Sequence, residues 1–486
     1  MVALTNNRTA AAQAPPSFLA SGRGKATLAL LCALGFLDFV DGSIVNIALP
    51  SIRTDLHFSN QSLQWVLSGY LLTYGGFMLL GGRAADLLGR RRVLIAGTVL
   101  FGLASMSAGL AQNSGLMVAS RLIQGLAAAM MLPATLSTLT TMFVEGRDRN
   151  TALGAWGGVG GLASAVGVFL GGVLTEGPGW RWVFFVNPPI CAALVILVLR
   201  FIPNQAPAAR GRSFDLLGAA LATTGMLTLV YTLVKAPDVG WSATRTIGGL
   251  AAAAALLILF LANEARRAEP LVPLSIFRIR GLAAANVTQL TMVAGMLAVF
   301  FFLTLYMQNV LGYTPLQTGA AYLPLCAGAA VAAGVTSQLL PRVGTRPFAV
   351  IGSLVGAAGI FWLSRIPTDG HYVRDILPGT LVMSLGLGSV FVAVATAANA
   401  GIPERQAGLA AALLNSSQQV GGALGISIFS AIATARTKNL LGTGHPVPDA
   451  LTGGFSRTLL VSSIFLLAAA AIAVRIKQTR QAAAPI

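Results

Sequence analysis

The chain has 486 residues, of which 55% are hydrophobic and only 10% are charged, and its mean hydropathy is +0.76. Soluble domains carry roughly 25% charged residues, so this composition excludes a soluble fold and favours a protein that spans a membrane. The net charge of +17 would suit nucleic acid, but no loop is long enough to fold a soluble domain that binds it.

Fourteen apolar stretches, each about long enough to cross a bilayer, fill the chain almost from end to end. A spanning helix needs about 20 mainly apolar residues. The predicted spans are 26–50, 62–82, 93–111, 116–143, 152–175, 183–202, 214–235, 247–263, 284–309, 317–340, 347–364, 377–399, 408–432 and 458–475. The first apolar run is too long for a cleaved signal peptide, so we expect it to remain as an anchor.

The distribution of basic residues predicts the topology. The N-terminal tail and every second loop hold 22 of the 32 Lys and Arg residues, and the other loops hold nine. Loops rich in Lys and Arg stay in the cytoplasm, so both termini are expected inside, in the plasma membrane of a bacterium. The three cysteines (Cys32, Cys191 and Cys326) fall within spans, so we expect neither a disulfide framework nor a metal site.

Two cytoplasmic connections divide the fourteen spans into six, two and six. The expected regions are an N-terminal tail (1–25), a six-helix bundle (26–202), a linker (203–213), two inserted helices (214–263), a linker (264–283), a second six-helix bundle (284–475) and a C-terminal tail (476–486). The loops GRAADLLGRRR (82–92) and PRVGTR (341–346) hold matching places in the two bundles. Repeats of this kind place a transport site near the midplane between two halves.

The loop between the second and third spans carries the most specific pattern in the chain. Gly82 and Gly89 flank Asp86, and Arg90 and Arg91 follow. Glycine lets the backbone turn tightly, and the acid can pair with the arginines or cap a helix. Basic residues alone would only anchor a cytoplasmic loop. The complete pattern resembles the loop motif of the major facilitator superfamily, and we interpret it as a cytoplasmic gate.

Further segments resemble the fourteen-helix drug:proton antiporter branch of that superfamily. They are DGSIVNIALP (41–50), RLIQG (121–125), GVFLGG (167–172), WRWVFFVNPP (180–189), FDLLG (214–218) and AGLAAALLNSSQQVGGALG (407–425). The resemblance covers about residues 26–475. It implies an all-α membrane protein with two six-helix bundles, two added central helices and transport by alternating access.

The fifth span departs from the pattern of that branch. Antiporters of the branch usually carry Gly-Pro-x-x-Gly-Gly there, and this chain has Val168 at the proline position. Gly167, Gly171 and Gly172 remain, so close packing of neighbouring helices is still expected. The bend that a proline would encourage in this helix is not expected.

Two acids, Asp38 and Asp41, are the only ones that lie deep within a predicted span. An ionisable residue at this depth is costly and is by default a functional candidate. The two are three residues apart, so they share a helix face and can titrate as a coupled pair. We expect the pair to carry the proton of an antiporter. A purely structural hydrogen bond is the alternative for each.

Arg121 is the only basic residue well inside a span. At 1.5 Å per residue, it and Asp41 lie at similar depths in antiparallel spans. We expect Arg121 to face Asp41 or the cavity. The alternative is that it only satisfies backbone carbonyls and holds helices together.

Substrate-cavity residues are harder to assign. The candidates are apolar, aromatic and amide side chains within spans: Trp65, Tyr70, Gln124, Gln289, Met292, Met296 and Phe300. Walls of this kind suit amphiphilic ligands, although each residue can instead face lipid or pack in the core. Some members of the superfamily that export multivalent cations carry an extra acid in the tenth helix. The tenth and thirteenth spans here hold none, so the resemblance disfavours dicationic substrates.

These observations predict a transporter that exports a hydrophobic or monocationic drug-like compound in exchange for protons. We expect no cofactor and no use of ATP, because no phosphate-binding loop is present. The alternatives are an exporter dedicated to one endogenous metabolite, lipid or siderophore, and a non-transporting membrane sensor. A membrane enzyme is disfavoured because the deep residues lack a nucleophile, base and orienting group.

Overall fold

The computed structural model describes residues 18–59, 61–143, 147–204, 215–267, 270–279, 281–400, 402 and 404–478. Its α-helices are α1 (Gly22–Asp55), α2 (Trp65–Leu88), α3 (Arg90–Gly109), α4 (Ser114–Met142), α5 (Arg147–Glu176), α6 (Trp182–Phe185), α7 (Asn187–Phe201), α8 (Leu216–Val239), α9 (Thr244–Arg266), α10 (Leu282–Asn309), α11 (Pro315–Ala321), α12 (Leu323–Val343), α13 (Thr345–Leu363), α14 (Leu377–Asn399), α15 (Glu404–Gly442) and α16 (Val447–Ala473). Most of the linker 203–213 lies outside the described residues, as do residues 1–17 of the predicted N-terminal tail and 479–486 of the predicted C-terminal tail.

Thirteen helical segments of the described chain are long and apolar enough to cross a membrane. Two of them are each made of a short and a long helix: α6 with α7, and α11 with α12. The helix α2 is a fourteenth segment of 24 residues. Its tyrosines and glycines lower its hydropathy, so it is not one of the thirteen. The predicted all-α membrane fold is thereby confirmed.

The last two helices are longer than their apolar stretches predict. Apolar residues end near 432 and resume near 458, but α15 continues to Gly442 and α16 begins at Val447. Backbone hydrogen bonds within a helix do not require apolar side chains. The polar extensions pack on each other, since a Cβ atom at Gly453 would meet the Leu440 side chain.

The helices before and after α8 and α9 form two packed groups. In the first group α2 packs on α4, α1 on α5 and α3 on α4; in the second, α13 packs on α14, α10 on α15 and α16, and α12 on α14. The helix α8 lies against both α2 and α15, where the two groups meet, and α9 packs chiefly on α8. The two inserted helices therefore cover one side of the boundary between the groups.

The two groups are joined by polar contacts at one end. Asn46 on α1 donates to the Thr304 hydroxyl on α10 at 3.0 Å, and Gln308 donates to the Ile47 carbonyl at 3.0 Å. The Leu316 amide at the start of α11 donates to Glu176 at the end of α5, also at 3.0 Å. The positive-inside rule assigns this end to the outer side. The two groups are therefore in contact on the outer side.

Candidate functional site

A buried ion pair lies between α1 and α4. Arg121 Nη1 is 2.7 Å from Asp41 Oδ2, and both side chains are fully buried. The other carboxylate oxygen accepts from Gln124 at 2.8 Å and from Asn187, at the start of α7, at 2.9 Å. Asp41 thus receives three donors and an opposite charge, which offset the cost of burying it.

The surrounding helices fix the arginine in place. Its Nε donates to the Val66 carbonyl on α2 at 2.9 Å, and its guanidinium lies 4.3 Å from the centre of the Tyr70 ring. Close packing of α2 and α4 makes this possible, because any side chain at Gly125 would collide with the Tyr70 backbone. The final glycine of the RLIQG segment therefore has a packing role beside the ion pair.

Asp38 lies in a different environment from Asp41. Its two oxygens accept from the Tyr70 hydroxyl at 2.7 Å and from the Tyr74 hydroxyl at 2.6 Å. Within the described chain it forms no ion pair, and only 5% of its surface is exposed. The structure thus separates the two acids: Asp41 faces a cation, whereas Asp38 faces two neutral phenols.

Open space lies one turn beyond Asp38. Gly42 is exposed in the middle of α1, and a side chain there would meet no atom within 4 Å. The residues one turn before and after it, Asp38 and Asn46, contact α2 and α10 respectively. Gly42 therefore faces open space between the contact of α1 with α2 and its contact with α10; we call this space the gap between the two halves.

The predicted cavity residues divide into two sets. Tyr70 and Gln124 belong to the carboxylate network, and Met292 is fully buried in the core. Trp65 packs beside α8. Met292 lies on α10 together with three others: Met296 and Phe300 are partly buried, and Gln289 donates to Gln418 at 3.2 Å. These three others are the candidates for a wall of the gap that Gly42 faces.

The second half contains an uncharged polar seam between α10 and α15. Besides the pair Gln289–Gln418, Ser417 donates to Asn286 at 2.9 Å. The Gln289 side chain is 2% exposed, and among the described residues its carbonyl oxygen has no hydrogen-bond partner. An unpaired buried amide oxygen is costly. This atom is available to a donor that enters from elsewhere.

The loop motif connects three parts of the protein. Gly89 ends α2 with φ at +97°, a conformation that favours glycine. Arg90 lies 3.8 Å from Asp86 and also bonds the Thr141 hydroxyl on α4, while Arg91 donates to the Leu199 carbonyl on α7 at 3.0 Å. A Cβ atom at Gly82 would lie at ordinary contact distance from Pro133 on α4. Arg83, near the end of α2, donates to the Pro270 carbonyl in the second linker at 3.3 Å.

The glycines of α5 allow close packing. Side chains at Gly167 and Gly171 would collide with α1, and one at Gly172 would meet the start of α11. Val168 is 2% exposed, and its carbonyl oxygen is close to Gly319 on α11. The helix continues from Arg147 to Glu176 without a proline.

Two acids near the cytoplasmic side, Asp215 and Glu264, are buried. Asp215 is fully buried, pairs with Arg267 at 2.9 Å and accepts from Asn263 at 3.0 Å. Glu264 accepts from the Val272 amide at 2.7 Å. These bonds join the inserted helices to the second linker. Their spacing along the chain gives no signal of this burial, because the partners come from different elements.

The fold and the buried charges define a multi-pass membrane transporter rather than an enzyme. Residues 31–426 match the family model of the Major Facilitator Superfamily, and the chain belongs to this superfamily. The puromycin resistance protein pur8 of Streptomyces alboniger is 38% identical over 432 residues, covering 88% of this chain and 85% of that protein. The cephamycin export protein CmcT of Amycolatopsis lactamdurans is 35% identical over 449 residues, covering 92% and 91%.

Solved structures agree with this fold. A bacterial homologue of the human lysosomal transporter Spinster, in an inward-facing and occupied conformation, aligns with a TM-score of 0.65 at 15% identity. The alignment covers 95% of this chain and 100% of that one. The similarity extends over both groups of helices.

Proposed function

We propose that the protein exports hydrophobic or monocationic drug-like compounds across the plasma membrane in exchange for protons. Relatives named for antibiotic resistance and export support the substrate class. The observation that carries proton coupling is Asp38, a buried carboxyl without a cationic partner in the described chain, beside the neutralised pair Asp41–Arg121. The partners of the protein are protons, a small amphiphilic substrate and the lipid bilayer. Neither ATP nor nucleic acid takes part.

The two acids have separate roles in this proposal. Asp41 pairs with Arg121 and holds α1, α4 and α7 together through its three donors. Asp38 binds and releases the transported proton, and the Tyr70 and Tyr74 hydroxyls donate to its two oxygens. A cationic substrate beside Gly42 is attracted to the deprotonated carboxylate of Asp38. Substrate and proton therefore compete for one negative charge.

The outer contacts close the outer side of the protein in this conformation. With α1 and α10 joined through Asn46, Thr304 and Gln308, substrate reaches the gap from the cytoplasmic side. Release to the outside requires these bonds to break. The proton gradient drives this exchange, because a proton that moves inward down its gradient replaces the exported substrate at Asp38.

Proton movement induced by substrate in proteoliposomes tests the proposal. A panel of lipophilic cations is applied to the native protein, Asp38→Asn, Asp41→Asn and the control Asp449→Asn, an exposed acid of the outer hairpin. We expect proton release in the native protein and the control, and none in Asp38→Asn. Substrate transport without proton movement in the native protein would contradict coupling. Unchanged coupling in Asp38→Asn would move the proton site elsewhere.

A dedicated exporter of one compound is the second candidate. The seam of Gln289 and Gln418 favours it, because amides at fixed positions select a defined pattern of donors and acceptors. The same panel separates the two candidates. A broad response supports multidrug export, and a response to a single compound class supports the dedicated exporter.

A further inference from the structure

A basic cleft lies on the outer side, between the inserted helices and the second half. It has a volume of about 610 Å³ and opens between the α8–α9 turn, α15 and α16. Trp241 forms one side, Ile432 and neighbouring alanines form an apolar wall, and Arg436, Asn439 and Arg457 supply the polar groups. The cleft is separate from the carboxylates in the first half.

The two arginines of the cleft are exposed and lack acidic partners. Arg436 has one long contact, at 3.4 Å, with the Asn439 side-chain oxygen. Within the described chain, neither guanidinium is paired with a carboxylate. The nearby acid Asp238 is already bonded to Lys438, and this pair joins the end of α8 to α15. The cleft therefore carries an uncompensated positive charge.

Topology does not explain this charge. Outer loops of membrane proteins are usually poor in Lys and Arg. The last outer loop nevertheless holds three, Arg436, Lys438 and Arg457, more than any other outer loop of this chain. A positive cluster that runs against the topology rule requires another cause.

The depth of the cleft points to the lipid headgroup region. The apolar stretch of α15 ends near residue 432 and that of α16 begins near 458, so both arginines lie at the outer boundary of the hydrocarbon. Trp241 follows the end of α8, and 54% of its surface is exposed, as expected for an interfacial tryptophan. The apolar wall lies at the end of the apolar stretch of α15, where it would meet acyl chains, whereas a site for a soluble anion would need no such wall.

We propose that this cleft binds the headgroup of an anionic phospholipid from the outer leaflet. The phosphate lies between Arg436 and Arg457, whose planar guanidinium groups match its oxygens. Asn439 bonds the headgroup hydroxyls, and an acyl chain follows Ile432. The bound lipid joins the α8–α9 turn to α15 and α16, next to the pair Lys438–Asp238.

Lipid retention by the purified full-length protein tests this site. Native mass spectrometry compares the native chain, the double variant Arg436→Gln/Arg457→Gln, and the control Arg365→Gln/Arg374→Gln in another outer loop. Phosphatidylglycerol and phosphatidylcholine are titrated separately. We expect the native chain and the control to prefer phosphatidylglycerol. The double variant should bind it about 30-fold more weakly, because each arginine near the membrane surface contributes about 1 kcal/mol to the attraction of an anionic headgroup.

Three results would overturn the proposal. The first is equal phosphatidylglycerol affinity in the double variant and the native chain. The second is equal affinity of the native chain for both lipids. The third is displacement of the lipid by glycerol phosphate at similar concentrations, which would identify a site for soluble anions instead. Thermal unfolding of the lipid-free variants checks that the double variant is folded.

Discussion

The two halves of the transporter bury different kinds of polar group. The first half encloses Asp38, Asp41 and Arg121 within the membrane. In the described residues of the second half, from α10 to α16, no charged side chain is buried, and amides and hydroxyls occupy the seam between α10 and α15. Buried charges are sensitive to protonation, whereas buried amides respond only to hydrogen-bond partners. We infer that the first half couples transport to protons and the second half selects substrate.

Among the substitutions that compare the two halves, Arg121→Met is expected to lower the stability of the protein most. It leaves Asp41 buried without its cation, a change that costs about 3–5 kcal/mol of stability. The expected result is a large loss of folded protein in detergent and a lowered Tm. The matched change in the second half, Gln289→Met, removes no charge and is expected to cost about 1 kcal/mol.

The double variant Arg121→Met/Asp41→Asn makes the test specific to charge. Asparagine removes the unpaired charge while preserving most of the shape, so it should recover part of the lost stability. Equal Tm values for Arg121→Met and Gln289→Met would contradict the expectation that buried polar groups of the first half are costlier to disrupt than those of the second half.

Gly42→Leu tests the position where the two halves face each other. The added side chain enters open space on α1, so the fold is retained while the gap narrows. We expect binding of bulky substrates to weaken by about tenfold or more, and binding of small cations to change less. Gly248→Leu on α9 is the control, since a side chain there also meets no atom within 4 Å. Substrate affinity is measured by fluorescence titration, and equal losses in both variants would place the substrate elsewhere.

The sequence predicts the helices and the depth of the charges well. Apolar length locates the membrane-spanning segments because every backbone group in the bilayer must bond within its own helix. Counting 1.5 Å per residue places Arg121 and Asp41 at similar depths, and in the structure they are 2.7 Å apart. These properties depend on one helix at a time, so one sequence is sufficient.

Properties that depend on how helices are rotated are not predicted. The spacing of Asp38 and Asp41 indicates a coupled pair, yet the structure turns one toward tyrosines of α2 and the other toward Arg121. Asn187 has no distinguishing signal within the WRWVFFVNPP segment, yet it donates to Asp41. The sequence places Gln124 among the cavity candidates, whereas in the structure it donates to the same carboxylate. Rotation follows from packing of side chains from several helices, which one sequence does not reveal.

Gln289→Leu/Gln418→Leu tests the proposed role of the second half. Loss of these amides removes hydrogen bonds worth about 0.5–1.5 kcal/mol each. We expect the Kd of substrates with amide or hydroxyl groups to rise about 3–10-fold, while protons exchanged per substrate stay constant. Thr452→Ala, whose hydroxyl bonds only a carbonyl of its own helix, is the control. A changed proton stoichiometry in the double variant would contradict a division of roles between the halves.

Asn46→Ala tests the bond that holds the halves together, and we expect its effect to be the smallest. Asn46 donates to Thr304 and to the Phe300 carbonyl, so the variant weakens the outer contact by about 1 kcal/mol and leaves Asp38 and Asp41 unchanged. Gly42 lies directly inside this contact, so a cysteine at that position reports on access from outside. In a Gly42→Cys background, Asn46→Ala should increase labelling by an impermeant thiol reagent about 2–10-fold.

The native cysteines lie within the helices. The labelling that they contribute is measured in the variant that retains Gly42 and is subtracted. Unchanged labelling, in protein that still transports, would mean that Gln308 and the Leu316–Glu176 bond are sufficient to keep the outer side closed.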